Sequence, residues 1–465
     1  MVEFGPDTSY GRSTAWYPLP GYQQTSSILV AGMTASTTYH MQAQAQCSDT
    51  GTTLSSGDLT FTTGPLPAIA FPALAVSRPN PSLSSPENPG VEMINITTAN
   101  TPALVTDRDA NPIWYYDVGV GNAAFPFKLL PNGHIVLSIF QPAGTGSLIR
   151  EVDLSGDVIR EMDAAALGQK MISAGYDFVP GSFHHDFLPL ANGHLIVLVN
   201  FTKDFTDLPG YPGTTWVLGD GLIDLDQNWN PVWAWNSFDY LDVNRHLNGL
   251  PDWTHSNALL YSSADGNLLL SMRHQSWVLK IDYNNGAGAG NIIWELGYQG
   301  SPGFALTVDG ASSDDPSEWF SFQHFPSIIS QSGPETTLAI WDNGDNRPLD
   351  TNGTLCGVGN APACYSRATV VQVDESAMVA NLLWADPVQY YGLWGGSINQ
   401  LANGNIEFDL NDPEFPPSPT VGSQVEEVTQ TSTPQVVWQM DVSTPSNAYR
   451  AYRVPSLYPG ISWQY

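Results

Sequence analysis

Pro131-Asn132-Gly133-His134-Ile135-Val136-Leu137 decides the reading of the whole chain, because it recurs. The same turn followed by an apolar strand appears as Ala191-Asn192-Gly193-His194-Leu195-Ile196-Val197, Ala264-Asp265-Gly266-Asn267-Leu268-Leu269-Leu270 and Ala402-Asn403-Gly404-Asn405-Ile406. Ser332-Gly333-Pro334 before Leu338-Ala339-Ile340 is a degenerate copy. Asn-Gly and Asp-Gly favour the type I′ turn that joins two antiparallel strands. Gly133, Gly193, Gly266, Gly333 and Gly404 are 60, 73, 67 and 71 residues apart. After each hairpin comes an apolar-Asp pair, then a turn and a strand that usually carries tryptophan. Examples are Val152-Asp153, Ile223-Asp224 with Trp233 and Trp235, Ile281-Asp282 with Trp294, and Val373-Asp374 with Trp384. Four-strand units at this period, without helical periodicity, predict the blades of an all-β propeller. Five hairpin copies and an incomplete opening copy around Trp114 predict a six-bladed β-propeller over residues 91–465, closed by strands from both ends.

Outward from the repeat, residues 1–64 read as short alternating strands at 26–31, 38–45 and 58–63. GMTASTTYHMQAQA followed by LTFTTG resembles the last strands of a fibronectin type III-like β-sandwich, with Tyr39 as its corner tyrosine. A full sandwich has about seven strands in about 100 residues, so a partial one lacking its first two strands is expected. Prolines cluster through 65–90; they remove ladder donors and fix φ, which predicts a semi-rigid linker rather than an element.

The chain of 465 residues carries 15 Lys and Arg against 45 Asp and Glu, a net charge of −30. Nucleic acid and anionic membrane surfaces are excluded as partners, since both require a basic patch. No run of about 18 apolar residues offers a membrane span. MVEFGPDTSYG has neither the basic start nor the apolar core of a signal peptide; either the signal was removed or the chain begins late, and the partial sandwich favours the second. Four lysines amid plentiful Ser, Thr, Asn and Gly look like a secreted or periplasmic surface. Cys356 and Cys364 flank a turn and suit a local disulfide in an oxidising compartment, with two reduced thiols as the alternative.

Nine histidines are present. His134 and His194 follow the Asn-Gly turns and His40 lies in the partial sandwich, which marks these three as structural or surface groups. His184 and His185, His255, and His324 instead precede successive hairpins, where the innermost strand of a blade runs. Equivalent positions in successive blades converge on one end of the central channel, so these imidazoles are expected to meet. Arg273 and His274 lie just beyond; strand alternation predicts that only one of them faces the channel. A metal site built from three imidazoles and Asp186 would suit zinc or iron, but short ligand spacings are missing and Arg273 repels a cation, so no metal is expected. As an anion site, imidazoles and a guanidinium supply donors and charge for a tetrahedral oxyanion, and one imidazole can serve as nucleophile. Phosphoryl and sulfuryl transfer both fit. Neither a GxxxxGK loop nor a G-x-S-x-G elbow occurs.

The segments NPIWYYDVG, SFHHDFLPLANGH, DWTHSNALLY, SMRHQSWVLKID, FQHFPS, WDNGDNRP, CYSRATVVQVDE and YRAYRVPSLYP, in this order, resemble the bacterial arylsulfate sulfotransferase family that uses no nucleotide donor. The resemblance covers roughly residues 100–460. It implies a six-bladed propeller that moves a sulfuryl group from an aryl sulfate to a phenol by a ping-pong route, with no cofactor. It implies His324 as nucleophile, carrying a transient sulfohistidine, and His255 and Arg273 as groups that bind and polarise the sulfuryl oxygens. His185, in preference to His184, completes the anion pocket, with Asn257 and His274 behind it. Trp253, Trp341 and Trp394 are candidates to stack on the phenolic ring, although blade packing is the plainer role for each. A non-catalytic binding propeller and an aryl sulfatase are the competing functions.

Overall fold

The computed structural model describes residues 1–19, 25–80, 87–141, 146–357, 363–388, 390–414 and 420–463. Among the described residues from Leu74 onward, six sheets each contain a four-stranded antiparallel run, and the fold is an all-β, propeller-like one. Their innermost strands are Ala448–Val454, Ala123–Leu129, Ser182–Pro189, Ser256–Ser262, His324–Ser332 and Ser397–Gln400. Each touches the innermost strand of the next sheet and the last touches the first, so the sheets form a ring. The first sheet closes it, pairing Ala448–Val454 from the end of the chain with Val91–Ile96 from its first half.

The repeated turns do connect antiparallel strands, but not as type I′ turns, which need positive φ at both central residues. Only the glycine is left-handed, for instance Gly133 at φ 85° and Gly193 at φ 84°. The preceding side chain does the rest: Oδ1 of Asn132, Asn192, Asp265 and Asn403 accepts the backbone N–H two residues on. These are Asx turns, which explains why Asn and Asp alternate at the position.

Three local expectations are corrected. Residues 26–31 are not a strand; the backbone there is held instead by Tyr458, whose hydroxyl donates to Leu29 O and accepts from Ala31 N. Within the proline-rich stretch, Leu74–Ser77 is a strand that adds to the outer edge of the sixth sheet beside Val436–Ser443; residues 81–86 lie outside the described residues. An α-helix, Ala164–Ala174, stands between the second and third sheets. Asp163 caps it by accepting from Ala166 N at 2.7 Å, and it buries only Ala164, Leu167, Gly168 and Met171. One short apolar stripe of small residues leaves little periodic signal. The N-terminal strands Val2–Gly5, Arg12–Ser13, Thr38–Gln46, Thr53–Ser55 and Leu59–Thr62 form one sheet. Tyr39 is buried, accepts from Thr34 N at 3.0 Å, and shares a core with Phe4, Tyr458 and Trp463.

The centre of the ring is polar. Arg450, with no side-chain exposure, donates to Asp186 Oδ1 at 3.0 Å and to the carbonyl of Asn257 at 2.8 Å. Asp186 also meets Lys128 Nζ at 2.6 Å and accepts from Leu259 N at 2.8 Å. Four sheets are thereby tied across the axis, and Asp186 is an ion-pair partner, not a metal ligand. Arg453 similarly joins Glu92, Glu407 and Glu427. Removing one partner of a buried ion pair leaves an uncompensated charge, at a cost of about 3–5 kcal/mol. Arg450→Ala is therefore expected to lower the unfolding free energy by about that amount, read as a shift in urea midpoint at constant m; an unshifted midpoint would refute the hub.

Candidate active site

The innermost strands break register where they reach the channel end. In the third sheet, pairing jumps from Phe183–Val199 to Phe187–Val197, so three residues oppose one. The fourth sheet slips between Ser256 and Ala258, and the fifth between His324 and Ser327. His185 and His255 take left-handed φ values of 48° and 47°, and Phe325 one of 34°. Such a conformation costs a non-glycine residue about 1 kcal/mol, and bulges of this kind re-aim side chains. The bulges turn His185 and His255 towards each other, with Nε2 atoms 3.0 Å apart.

Arg273 and His274 do not obey strand alternation, because the strand ends at Met272 and Arg273–Gln275 form a 3-10 turn. Both therefore face the cluster. The His274 ring lies 4.6 Å from that of His255, and Arg273 Nη1 is 3.0 Å from His274 Nε2. Arg273 is held by Asp345 Oδ2 and the carbonyl of Leu393, each at 2.9 Å, while its buried Nε has no protein partner. Burial raises Asp345 to about 6 against the opposing pull of Arg273. Burial and the neighbouring charge of His255 push His274 down to about 4. Burial first, then His255, drive His185 well below the ordinary imidazole range.

His324 is buried at the start of its strand. Its Nδ1 lies 2.7 Å from Asn343 Oδ1. Asn343 Nδ2 donates to the carbonyls of Gly392 and Gly395, which fixes the amide so that its oxygen faces the histidine. Nδ1 must then carry the proton, leaving a lone pair on Nε2; the backbone N–H of Gly395 points at Nε2 from 3.2 Å, as that tautomer requires. Gly395 and Gly396 sit at φ 68° and 99°, and a Cβ on Gly396 would strike Trp341. Burial, then the charge of Arg273, push the His324 pKa well down, so the neutral ring persists. Tyr449 stacks on His185 at 5.3 Å and presents its edge to His324 at 6.0 Å.

A profile described as Arylsulfotransferase (ASST) matches residues 73–453. The chain belongs to the arylsulfotransferase family. No curated protein matches it. Among solved structures, a Bacteroides caccae protein of unknown function is 10% identical with a TM-score of 0.34, covering 77% of this chain and 92% of its own. A member of the DUF4221 family from Bacteroides vulgatus is 7% identical with a TM-score of 0.33, over 83% and 98%. Dihydro-heme d1 dehydrogenase NirN is 10% identical with a TM-score of 0.33, over 82% and 80%. Likenesses this distant carry no functional argument.

In this chain His185, His255, Arg273, His274 and His324 come together in one buried cluster. His184 turns away, its Nε2 3.0 Å from Asp220. Asn257 is fully buried and donates to the carbonyl of Gln323, supporting the backbone beside His324. Trp253 stacks on Phe238 and Trp341 on Phe408, both buried in packing; half-buried Trp394 donates to Asp412. His40, His134 and His194 pair with Asp58, Glu151 and Asp224, outside the cluster. Sequence reasoning passed over Asn343, Asp345 and Tyr449, although each lies in a segment carrying the family resemblance, and over Asp252, three residues before His255. Ligand atoms of Asp252, His255 and His274 lie within 4.8 Å of one another, so these are the described residues able to hold a cation; Arg273 stands against His274 and opposes one.

Nitrogen-detected NMR of the histidines tests this geometry. The signals of His185, His274 and His324 are expected to remain neutral as pH falls through 6.5, the usual imidazole value, because burial disfavours the cation. His324 should report the Nδ1–H tautomer, and Asn343→Leu should remove that preference. An imidazolium at His324 at pH 6.5 would contradict the assignment.

Proposed function

We propose that this chain transfers a sulfuryl group from an aryl sulfate to a phenol in two half-reactions, through a sulfohistidine on Nε2 of His324 and without a nucleotide donor. The family supports aryl sulfotransfer in general. The observation that carries the finer reading is the pinned tautomer of His324: the Asn343 amide holds the proton on Nδ1, so Nε2 offers its lone pair beside Arg273. In the first half-reaction that lone pair attacks sulfur, and the S–O bond breaks with its electrons moving to the phenolate. Arg273 Nε, which has no protein partner, and the Gly395 N–H released from Nε2 then serve as donors to the sulfuryl oxygens, with the His185–His255 pair beside them. Placed donors of this kind stabilise developing charge without reorganisation. An acceptor phenol reverses the sequence.

The Tyr449 hydroxyl is pushed up to about 12 by burial, so it stays protonated and acts as a further donor. The Cys356–Cys364 disulfide supports a secreted or periplasmic location, where such bonds persist. No helix among the described residues is long and apolar enough to cross a membrane. Residues 1–64 are read as the partial sandwich and 91–465, completed by the edge strand Leu74–Ser77, as the catalytic unit.

Incubation with 4-nitrophenyl sulfate should release at most one equivalent of chromophore per chain from donor alone and turn over continuously only when a phenol is added; continuous release without phenol would mean hydrolysis, and no release at all a binding module. Donor alone should add one sulfuryl mass to the peptide containing His324, and His324→Ala should abolish both signals. Full turnover by that variant would remove the nucleophile assignment. Asn343→Leu is expected to lower kcat by about 10²-fold or more with little change in KM, since a misplaced tautomer costs far more in rate than in binding.

A further inference from the structure

The row of imidazoles continues beyond the groups that would touch sulfur. Asp252 Oδ2 lies 2.6 Å from Nδ1 of His255. Nε2 of His255 lies 3.0 Å from Nε2 of His185. Nδ1 of His185 is buried and has no hydrogen-bond partner. Three side chains thus form one hydrogen-bonded line, Asp252–His255–His185, that runs inward from a partly exposed carboxylate and stops at an orphaned nitrogen. A buried polar atom without a partner is costly unless something else meets it.

The chemistry of the line is directional. A carboxylate accepts only, so Nδ1 of His255 carries a proton. Two Nε2 atoms at 3.0 Å share one proton, because two would clash and none would leave lone pairs opposed. Burial opposes ionisation of Asp252, but the hydrogen bond from His255 outweighs it and holds the carboxyl below its usual range. Asp252 is itself well placed. Its own carbonyl accepts from His274 Nδ1 at 2.8 Å, and Pro251 and Trp253 on either side bond to the backbone of Leu218. Its Oδ1 stays 3.9 Å from His274 Nδ1, so within this row the close contact belongs to His255 alone.

We propose that Asp252 is a positioning residue that makes this line a proton relay, and that the relay lets the protein use aryl sulfates whose phenolates leave poorly. The inference rests on the sulfuryl-transfer reading. As the S–O bond breaks, the aryl oxygen takes the proton from Nδ1 of His185, Nε2 of His185 takes the proton from Nε2 of His255, and Asp252 holds the Nδ1 proton of His255 throughout. The relay begins with one extra proton, on the His255–His185 pair, and ends neutral. An acceptor phenol returns that proton by the same atoms in reverse while its oxygen takes the sulfuryl group from His324. Asp252 never touches substrate; it acts through His255.

The test compares two donors. The phenolate of 4-nitrophenyl sulfate leaves unaided, whereas that of phenyl sulfate, with a phenol of pKa about 10 like tyrosine, needs a proton. Single-turnover sulfurylation of His324 is measured with each donor, for the wild-type chain and for Asp252→Asn. The loss in the variant is expected to be about 10²-fold greater with phenyl sulfate than with 4-nitrophenyl sulfate, the usual scale of general acid catalysis. Asp252→Glu should recover part of the phenyl sulfate rate. Equal losses with both donors would overturn the relay and leave sulfuryl transfer standing, because a merely structural role moves both rates together. A wild-type chain inert to both donors would overturn the transfer reading and the relay with it. A second readout needs no variant: wild-type sulfurylation by phenyl sulfate should slow in heavy water and that by 4-nitrophenyl sulfate should not, and the same ratio for both donors would again refute the relay.

Discussion

The contact between Arg450 and Asp186 is the one on which the centre of this molecule depends. Both side chains are sealed from solvent, and neither charge is tolerable there without the other. Through them the strand that closes the ring is joined to the third sheet, and through Lys128, Asn257 and Leu259 to the second and fourth. His185 directly precedes Asp186, and Arg450 Nη2 reaches the His185 carbonyl. The bulge that aims His185 at His255 is thus anchored by the same pair that closes the axis.

A chain with so few cations still buries five of them. Arg453 gathers three glutamates, Arg347 and Arg367 share Asp342, and Lys280 lies between Asp265 and Glu375. Each holds neighbouring strands or sheets together where apolar packing alone would leave backbone and side-chain acceptors unmet. Arg273 differs: it is tethered on one side by Asp345 and keeps a free Nε on the other. A chain of net charge −30 admits an anion only at a place built for it. The long-range field of such a protein repels an anion, and recognition rests on short-range donors.

Neutrality is the second feature of the site. Four imidazoles crowd around one guanidinium, and burial with mutual repulsion keeps three of them unprotonated. A nucleophile needs its lone pair, and here the fold supplies it by desolvation plus one fixed amide. Among the four, His255 is the ring that meets a carboxylate oxygen at hydrogen-bond distance, Asp252 Oδ2 at 2.6 Å.

The repeat of Asn-Gly and Asp-Gly turns, spaced by whole four-strand units, was enough to establish an all-β ring, since local turn chemistry and strand patterning are written in adjacent residues. The phase of His185, His255 and His324 within that repeat likewise announced that imidazoles would converge. The details of aim were not legible. Strand alternation separated Arg273 from His274, yet a 3-10 turn brings both inward, and the Asx turns replaced the type I′ geometry that the dipeptides suggested. Leu74–Ser77 became a strand only because the sixth sheet offered it an edge. Asn343 and Tyr449 meet partners 19 and 264 residues away, and Asp252 gained its place from a loop held by the backbone of Leu218 in another sheet. Residue order set which groups were present and where the chain turned; the bulges, the tautomer of His324 and the partner of each buried charge were decided by long-range packing, because hydrogen bonds in a dry interior are fixed by whichever atoms the fold brings within 3 Å.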